Sequence, residues 1–149
     1  MRSDFLKRVG DIAKEAVYRS PLMHREKLDD EQREALTDRL ASMKLLLEQT
    51  EMDIGFLERC ANTPGLSYSG AKVYYQRMDK HMDFLNDLND SIADVAKEFM
   101  RFDCGGAGDT LDALRVELFE VVSGGYRTER KLKKLVEQGE KKQVDAPAA

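Results

Sequence analysis

The feature that most constrains this chain is a run of mostly apolar residues between positions 71 and 103 that recur at alternating steps of four and three. Heptad spacing of this kind lines side chains up along one side of an α-helix and is typical of helices that pack lengthwise against a partner. At about 1.5 Å of rise per residue, the stretch would be on the order of 50 Å long. The recurring residues are Tyr74, Met78, His81, Leu85, Leu88, Ile92, Val95, Phe99 and Phe102.

A second seam with the same spacing lies in residues 29–61, where Asp29, Asp30 and Glu31 provide the negative charge that favours a helix N-terminus. Its members are Leu36, Leu40, Met43, Leu47, Thr50, Ile54, Leu57 and Ala61. The segment Asn62–Gly65 contains a Pro-Gly pair, which breaks a helix. Two matched seams joined by a short loop predict an antiparallel, coiled-coil-like hairpin of residues 29–61 with 71–103.

The register of this hairpin can be tested on the sequence. In an antiparallel pair of helices, the residue numbers of two opposed positions add up to a nearly constant value. Pairing Leu57 with Tyr74 places Ile54 opposite Met78 and Thr50 beside His81. Thr50 and His81 are the polar members of the two paired seams, and a buried hydroxyl and imidazole can satisfy each other. We therefore predict a buried polar layer of Thr50 and His81.

The remaining segments also have helical patterns. An apolar stripe predicts a helix over residues 4–19, ended by the Ser20-Pro21 pair. Toward the C-terminus, residues 110–123 and 126–138 are predicted to be helical and to be separated by a break at Gly124-Gly125, followed by a disordered tail over 140–149. The predicted fold is all-α: one elongated helical bundle, residues 1–139, built on the hairpin, an N-terminal helix and a Gly-broken C-terminal helix.

Composition excludes several classes of protein. No apolar run approaches the roughly 18 residues of a membrane-spanning helix, and the N-terminus does not resemble a secretory signal, so we expect a cytoplasmic protein without membrane association. The two cysteines are too few for a zinc ligand set, and we expect free thiols. No nucleophile–base pair, metal-ligand spacing or phosphate-binding motif occurs, and we predict neither a cofactor nor enzymatic activity.

Acidic residues recur at steps of three and four on the side of the 71–103 helix opposite the seam. Like charges at this spacing repel, so they either keep the surface hydrated or serve to dock a basic partner. We call this set the acidic stripe, and its members are Asp79, Asp83, Asp87, Asp90, Asp94 and Glu98.

Two other sets of residues lie outside the seams. Leu45, Met52 and Phe56 form an apolar line on the first hairpin helix that another helix of the chain or a second copy would have to cover. Residues 126–142 carry seven Lys/Arg against three Glu, a net charge of +4. This basic segment includes Arg127, Arg130, Lys131, Lys133 and Lys134.

These features favour a non-enzymatic protein–protein interaction module, an adaptor, inhibitor or assembly subunit that binds through helical faces and self-associates as a homo-oligomer. One alternative is an acidic inhibitor that mimics nucleic acid and blocks a basic or nucleic-acid-handling target, as counter-defence proteins of mobile elements do. The other alternative is a nucleic-acid binder that uses the basic segment. The chain's net charge of −4 argues against direct nucleic-acid binding in general.

Overall fold

The computed structural model describes residues 26–145. They form three long helices: α1 (Asp30–Ala61, 32 residues), α2 (Tyr68–Arg101, 34 residues) and α3 (Ala107–Asp145, 39 residues). Two-residue strands β1 (Glu26–Lys27) and β2 (Phe102–Asp103) pair in parallel. The predicted all-α fold is confirmed. The predicted helix over residues 4–19 lies outside the described residues.

The first two helices begin at side-chain caps. At the start of α1, Asp29 Oδ1 accepts a hydrogen bond from the Gln32 N–H at 2.7 Å, and Gln32 Oε1 accepts one from the Asp29 N–H at 3.1 Å. This reciprocal pair is a capping box in which Gln replaces the commoner Glu. Ser67 Oγ accepts a hydrogen bond from the Gly70 N–H, which starts α2 at Tyr68, three residues before the predicted position.

The predicted break at Gly124-Gly125 is wrong, and so is the predicted disorder over residues 140–145, because α3 runs without interruption from Ala107 to Asp145. The rest of the predicted tail, residues 146–149, lies outside the described residues. A glycine inside a helix costs roughly 1 kcal/mol relative to alanine but does not by itself end the helix. At Gly125 the missing side chain makes room for neighbours: a Cβ there would lie 2.6 Å from Met82 Sδ and 3.5 Å from Ile54 Cδ1. The glycine lets α3 approach both other helices closely.

The chain divides into two compact units, each with residues from all three helices. The described part of unit 1 is residues 26–47 and 86–118, and that of unit 2 is residues 48–85 and 119–145. The single domain over residues 1–139 stays a prediction.

In unit 1 the core consists of buried apolar side chains from the three helices and the segments that flank them. An exposed ion pair between Arg39 and Glu98, 3.2 Å apart, joins α1 to α2 at its edge. Such exposed pairs contribute little to stability, so burial of the apolar side chains dominates. The core residues are Leu28, Leu36, Leu40, Met43, Leu47, Leu88, Ile92, Val95, Ala96, Phe99, Cys104, Leu111, Leu114 and Leu118.

In unit 2 the close approach at Gly125 is repeated near the C-terminal end of α3. A Cβ at Gly139 would lie 2.5 Å from Tyr68 Cδ2 and 3.0 Å from Tyr68 Cβ. Tyr68 also donates a hydrogen bond to Glu140 Oε1 at 3.4 Å. The apolar core residues of unit 2 are Ile54, Leu57, Ala61, Ala71, Met78, Met82, Leu85, Val121, Val122 and Leu132.

The buried side of α2 is wider than the predicted seam. Met82, Asn89 and Ala96 are buried although the seam does not include them, whereas Tyr74 and Phe102 are only half-buried. In unit 2 the reason is visible, because Met82 packs against α3 at Gly125 while Met78 and Ile54 lie beside the same point. In unit 2 the buried side of α2 therefore includes residues that pack against α3.

Candidate interaction surfaces

The apolar line on α1 is exposed to solvent. Leu45 in unit 1 is 67% exposed, and Met52 and Phe56 in unit 2 are 71% and 48% exposed. They lie on the side of α1 opposite the buried seam, because their spacing places them about half a turn away from it. No described segment of the chain covers them, so the expected cover is absent from residues 26–145.

In unit 2, Met52 and Phe56 have acidic neighbours on the same helix. Glu48 and Glu51 lie one turn or less before Met52, and Glu58 follows Phe56; all three are exposed. Gln49 Nε2 donates a hydrogen bond to Asp53 Oδ1 at 3.4 Å, which holds that acidic group close to the helix surface. We call Met52 and Phe56, together with Glu48 and Glu51, the α1 patch.

The acidic stripe follows α2 but is partly paired with cations. In unit 2, Asp83 is exposed and Asp79 half-buried. In unit 1 the two members nearest the end of α2 have partners: Asp94 lies 3.7 Å from Lys97 Nζ, and Glu98 pairs with Arg39. Asp87 and Asp90 are exposed. The stripe thus carries less unpaired negative charge than its sequence indicates.

The basic segment is helical along its whole length, since α3 continues to Asp145. All seven of its Lys and Arg side chains are exposed. Four of them, Arg127, Arg130, Lys134 and Lys141, recur at steps of three, four and seven, which places them along one side of α3. Lys131, Lys133 and Lys142 lie beside this row. Within residues 26–145, none of the seven makes an ion pair.

The predicted polar layer is only half buried. Thr50 is 4% exposed, as expected, but His81 is half-buried and lies at the edge of the α2 seam. The physical reason is that the next residue, Met82, is buried against α3 at Gly125 and takes the core position. His81 therefore keeps contact with water, and the predicted fully buried layer is wrong in that respect.

Sequence reasoning missed one polar residue in the core of unit 1. Asn89 is 1% exposed, and neither its amide nitrogen nor its amide oxygen has a hydrogen-bond partner in the described part of the chain. Its position could have indicated burial, because Asn89 lies seven residues after Met82 and seven before Ala96. These three residues form a second buried line beside the predicted seam. A buried amide without partners costs free energy, so Asn89 is a destabilising residue in this structure.

Cys60 and Tyr74 form a polar contact between α1 and α2 in unit 2. A hydrogen bond with the Cys60 side chain, followed by the charge of that group, raises the pKa of the Tyr74 phenol above its ordinary 10.0. Because the folded-state pKa is raised, the contact stabilises the fold below pH 10 and is lost as pH rises through the folded pKa.

We expect Cys60→Ala to lower the pKa of Tyr74 toward 10.0, because it removes both of the larger causes of the shift. A ¹³C NMR titration of labelled tyrosine measures the change directly. Cys104→Ala is the matched control, since Cys104 lies in unit 1 and donates to the Phe102 carbonyl instead. An unchanged Tyr74 pKa in Cys60→Ala would show that the thiol is not the cause.

Unit 1 contains a cavity of about 490 Å³ beside the turn that precedes α3. Lys27, Arg33 and Thr37 line it together with residues 103–107. Cys104, the buried polar side chain in its described lining, donates a hydrogen bond to the Phe102 carbonyl. The cavity therefore assigns no ligand. Among the described residues, no group of three His, Cys, Asp or Glu side chains is placed to hold a metal ion.

None of the helices within residues 26–145 combines the length and apolar character needed to cross a lipid bilayer. Comparison of the chain with protein-family models, with curated proteins and with solved structures gave no match.

Proposed function

We propose that this protein is a non-enzymatic protein–protein interaction module and that the α1 patch is its contact surface. The observation that carries the proposal is the exposure of two large apolar side chains, Met52 at 71% and Phe56 at 48%, one turn apart on the same helix. Isolated exposed apolar residues are common on protein surfaces, but neighbours at this spacing form a continuous apolar strip. Met and Phe are also enriched in the buried centres of interfaces.

The chemistry around the strip indicates the kind of partner. Glu48 and Glu51 place negative charge beside Met52, and they would remain at the solvated rim when Met52 and Phe56 are buried. A partner helix with apolar residues or long aliphatic stems on one side and Lys or Arg beside them complements this arrangement.

The proposal is tested by substituting Phe56→Ser in a tagged chain and comparing the proteins captured from source lysate with those captured by the native chain. Phe119→Ser is a matched control, because Phe119 is 49% exposed and lies in the same unit on α3. We expect Phe56→Ser to lose a specific partner that Phe119→Ser retains, with both variants as stable as the native chain. Equal capture by the two variants would contradict the assignment of the α1 patch.

The exposed basic segment of α3 supports a second candidate, binding of a nucleic-acid backbone. If this candidate is correct, DNA or RNA affinity falls steeply with salt, and substituting Arg130→Glu with Lys134→Glu reduces both the affinity and the salt slope. Docking of a basic protein on the acidic stripe stays a prediction from the sequence. If it occurs, the double substitution Asp83→Asn with Asp87→Asn should abolish binding of that protein.

A further inference from the structure

We propose that the partner of the α1 patch includes a second copy of this chain, which docks the basic segment of its own α3 there. The inference rests on the proposed function, because it uses the α1 patch and names what occupies it. Both surfaces belong to unit 2, and each copy presents both of them.

The basic segment has the form that such a contact requires. Its row of Arg127, Arg130, Lys134 and Lys141 spans about 21 Å along a continuous helix at 1.5 Å per residue. All four side chains are exposed, and none is engaged in an ion pair with a described residue. The row can therefore bind an acidic surface without first breaking ion pairs in its own chain.

The α1 patch has the opposite charge. The segment from Glu48 to Arg59, which contains the α1 patch, has four acidic residues against one arginine, a net charge of −3, and the basic segment carries +4. The acidic side chains nearest the apolar strip, Glu48 and Glu51, are exposed and make no ion pair within the described residues. Complementary potentials of this kind orient two surfaces and speed their association.

The apolar strip and the cations also fit each other chemically. Lys and Arg cover apolar surface with their aliphatic stems while the charged groups stay at the rim. Met52 and Phe56 can bury these stems, and a guanidinium from Arg127 or Arg130 can lie over the Phe56 ring in a cation–π contact. Because each copy carries a patch and a row, two copies related by a two-fold axis can make the contact twice.

A second copy explains the basic segment better than nucleic acid does. A phosphate backbone would contact only the charged groups of the row, whereas the α1 patch also offers an apolar strip that the aliphatic stems of the row can cover. The α1 patch spans about 12 Å between Glu48 and Phe56, so it fits within the length of the basic row.

The test uses charge-reversed full-length chains and sedimentation velocity over a range of protein concentrations. One variant reverses the charge of the α1 patch with Glu48→Lys and Glu51→Lys. Another reverses the charge of the basic row with Arg130→Glu and Lys134→Glu. We expect the native chain to form a dimer whose dissociation constant rises at least about tenfold with either reversal and with added salt. A 1:1 mixture of the two variants should restore association, because each reversed surface meets its complement.

Two control variants carry the same charge changes elsewhere. Arg77→Glu with Lys80→Glu matches the reversal of the row, and Asp83→Lys with Asp87→Lys matches that of the patch; these four residues are exposed on α2. Both controls should dimerise as the native chain does. Loss of the dimer in the Asp83/Asp87 variant would assign the contact to the acidic stripe and overturn the inference.

Three further results would overturn it: a native chain that stays monomeric, a dimer that is insensitive to both reversals, or a mixture that fails to associate. DNA binding that disappears with Arg130→Glu and Lys134→Glu in a monomeric chain would assign the row to nucleic acid instead. If the dimer is absent while Phe56→Ser still loses another partner, the proposed function stands and only the second-copy inference fails.

Discussion

Replacing Asn89 with leucine is expected to raise the free energy of unfolding by about 2 kcal/mol. Asn89 is 1% exposed, and its buried amide has no hydrogen-bond partner among the described residues. An unsatisfied buried polar group costs about 1–3 kcal/mol, and leucine has a similarly branched side chain that leaves no such group. Urea denaturation followed by circular dichroism measures the difference.

Thr50→Val is the control for this substitution. Thr50 is also buried, at 4% exposure, but its side chain or backbone already has an interaction partner. The same polar-to-apolar change should therefore give no gain at Thr50, and a loss of about 1 kcal/mol if the hydroxyl is the interacting group. A destabilised Asn89→Leu variant would mean that the Asn89 amide is satisfied in solution.

Replacing Gly125 with leucine is expected to lower the free energy of unfolding by about 3 kcal/mol. Even a Cβ at this position would lie 2.6 Å from Met82 Sδ and 3.2 Å from Met78 Cε. Both methionines are fully buried, so they cannot move aside into solvent. Forcing extra atoms into a packed core typically costs about 1–3 kcal/mol, and leucine adds four carbons where one already collides.

The neighbouring glycine provides the matched control. A Cβ at Gly124 would meet only Arg127 Nη2, at 3.7 Å, which is ordinary contact. Gly124→Ala should therefore raise stability by up to about 1 kcal/mol through helix propensity alone. If Gly125→Leu were tolerated as well as Gly124→Ala, α3 would not pack at Gly125 as the structure places it.

Heptad spacing was a reliable guide to α1 because that helix buries a single line of residues. All eight members of its predicted seam, from Leu36 to Ala61, are buried. On α2 the same reasoning found Met78, Leu85 and Ile92 but not Asn89. The buried side of α2 also includes Met82 and Ala96, and the spacing along one helix does not reveal how wide its buried side is.

The continuity of α3 could not be predicted for a related reason. A Gly-Gly pair indicates a break when the chain is read locally, since glycine weakens a helix. The compensating contact comes from Met82, more than 40 positions earlier, and it becomes visible only when the helices are packed. The basic segment was recognised from composition, but its placement along one continuous helix depended on this packing.

The outward position of Met52 and Phe56 followed from their spacing relative to the seam, and the structure leaves both exposed. What binds them is not encoded in the spacing, because a partner's side chains are not part of this chain. The acidic side chains beside Met52 are the reason for our proposal that the partner surface is basic. The charge-reversal experiment tests whether that surface is the basic segment of a second copy.

Site-specific photo-crosslinking tests whether the α1 patch is a contact surface. A benzophenone amino acid is placed at position 56 in one chain and at position 119 in another, and both are irradiated in source cells. We expect a discrete crosslinked adduct from position 56, to another protein or to a second copy, and none from position 119. Adducts of equal yield from both positions, or none from position 56, would contradict it.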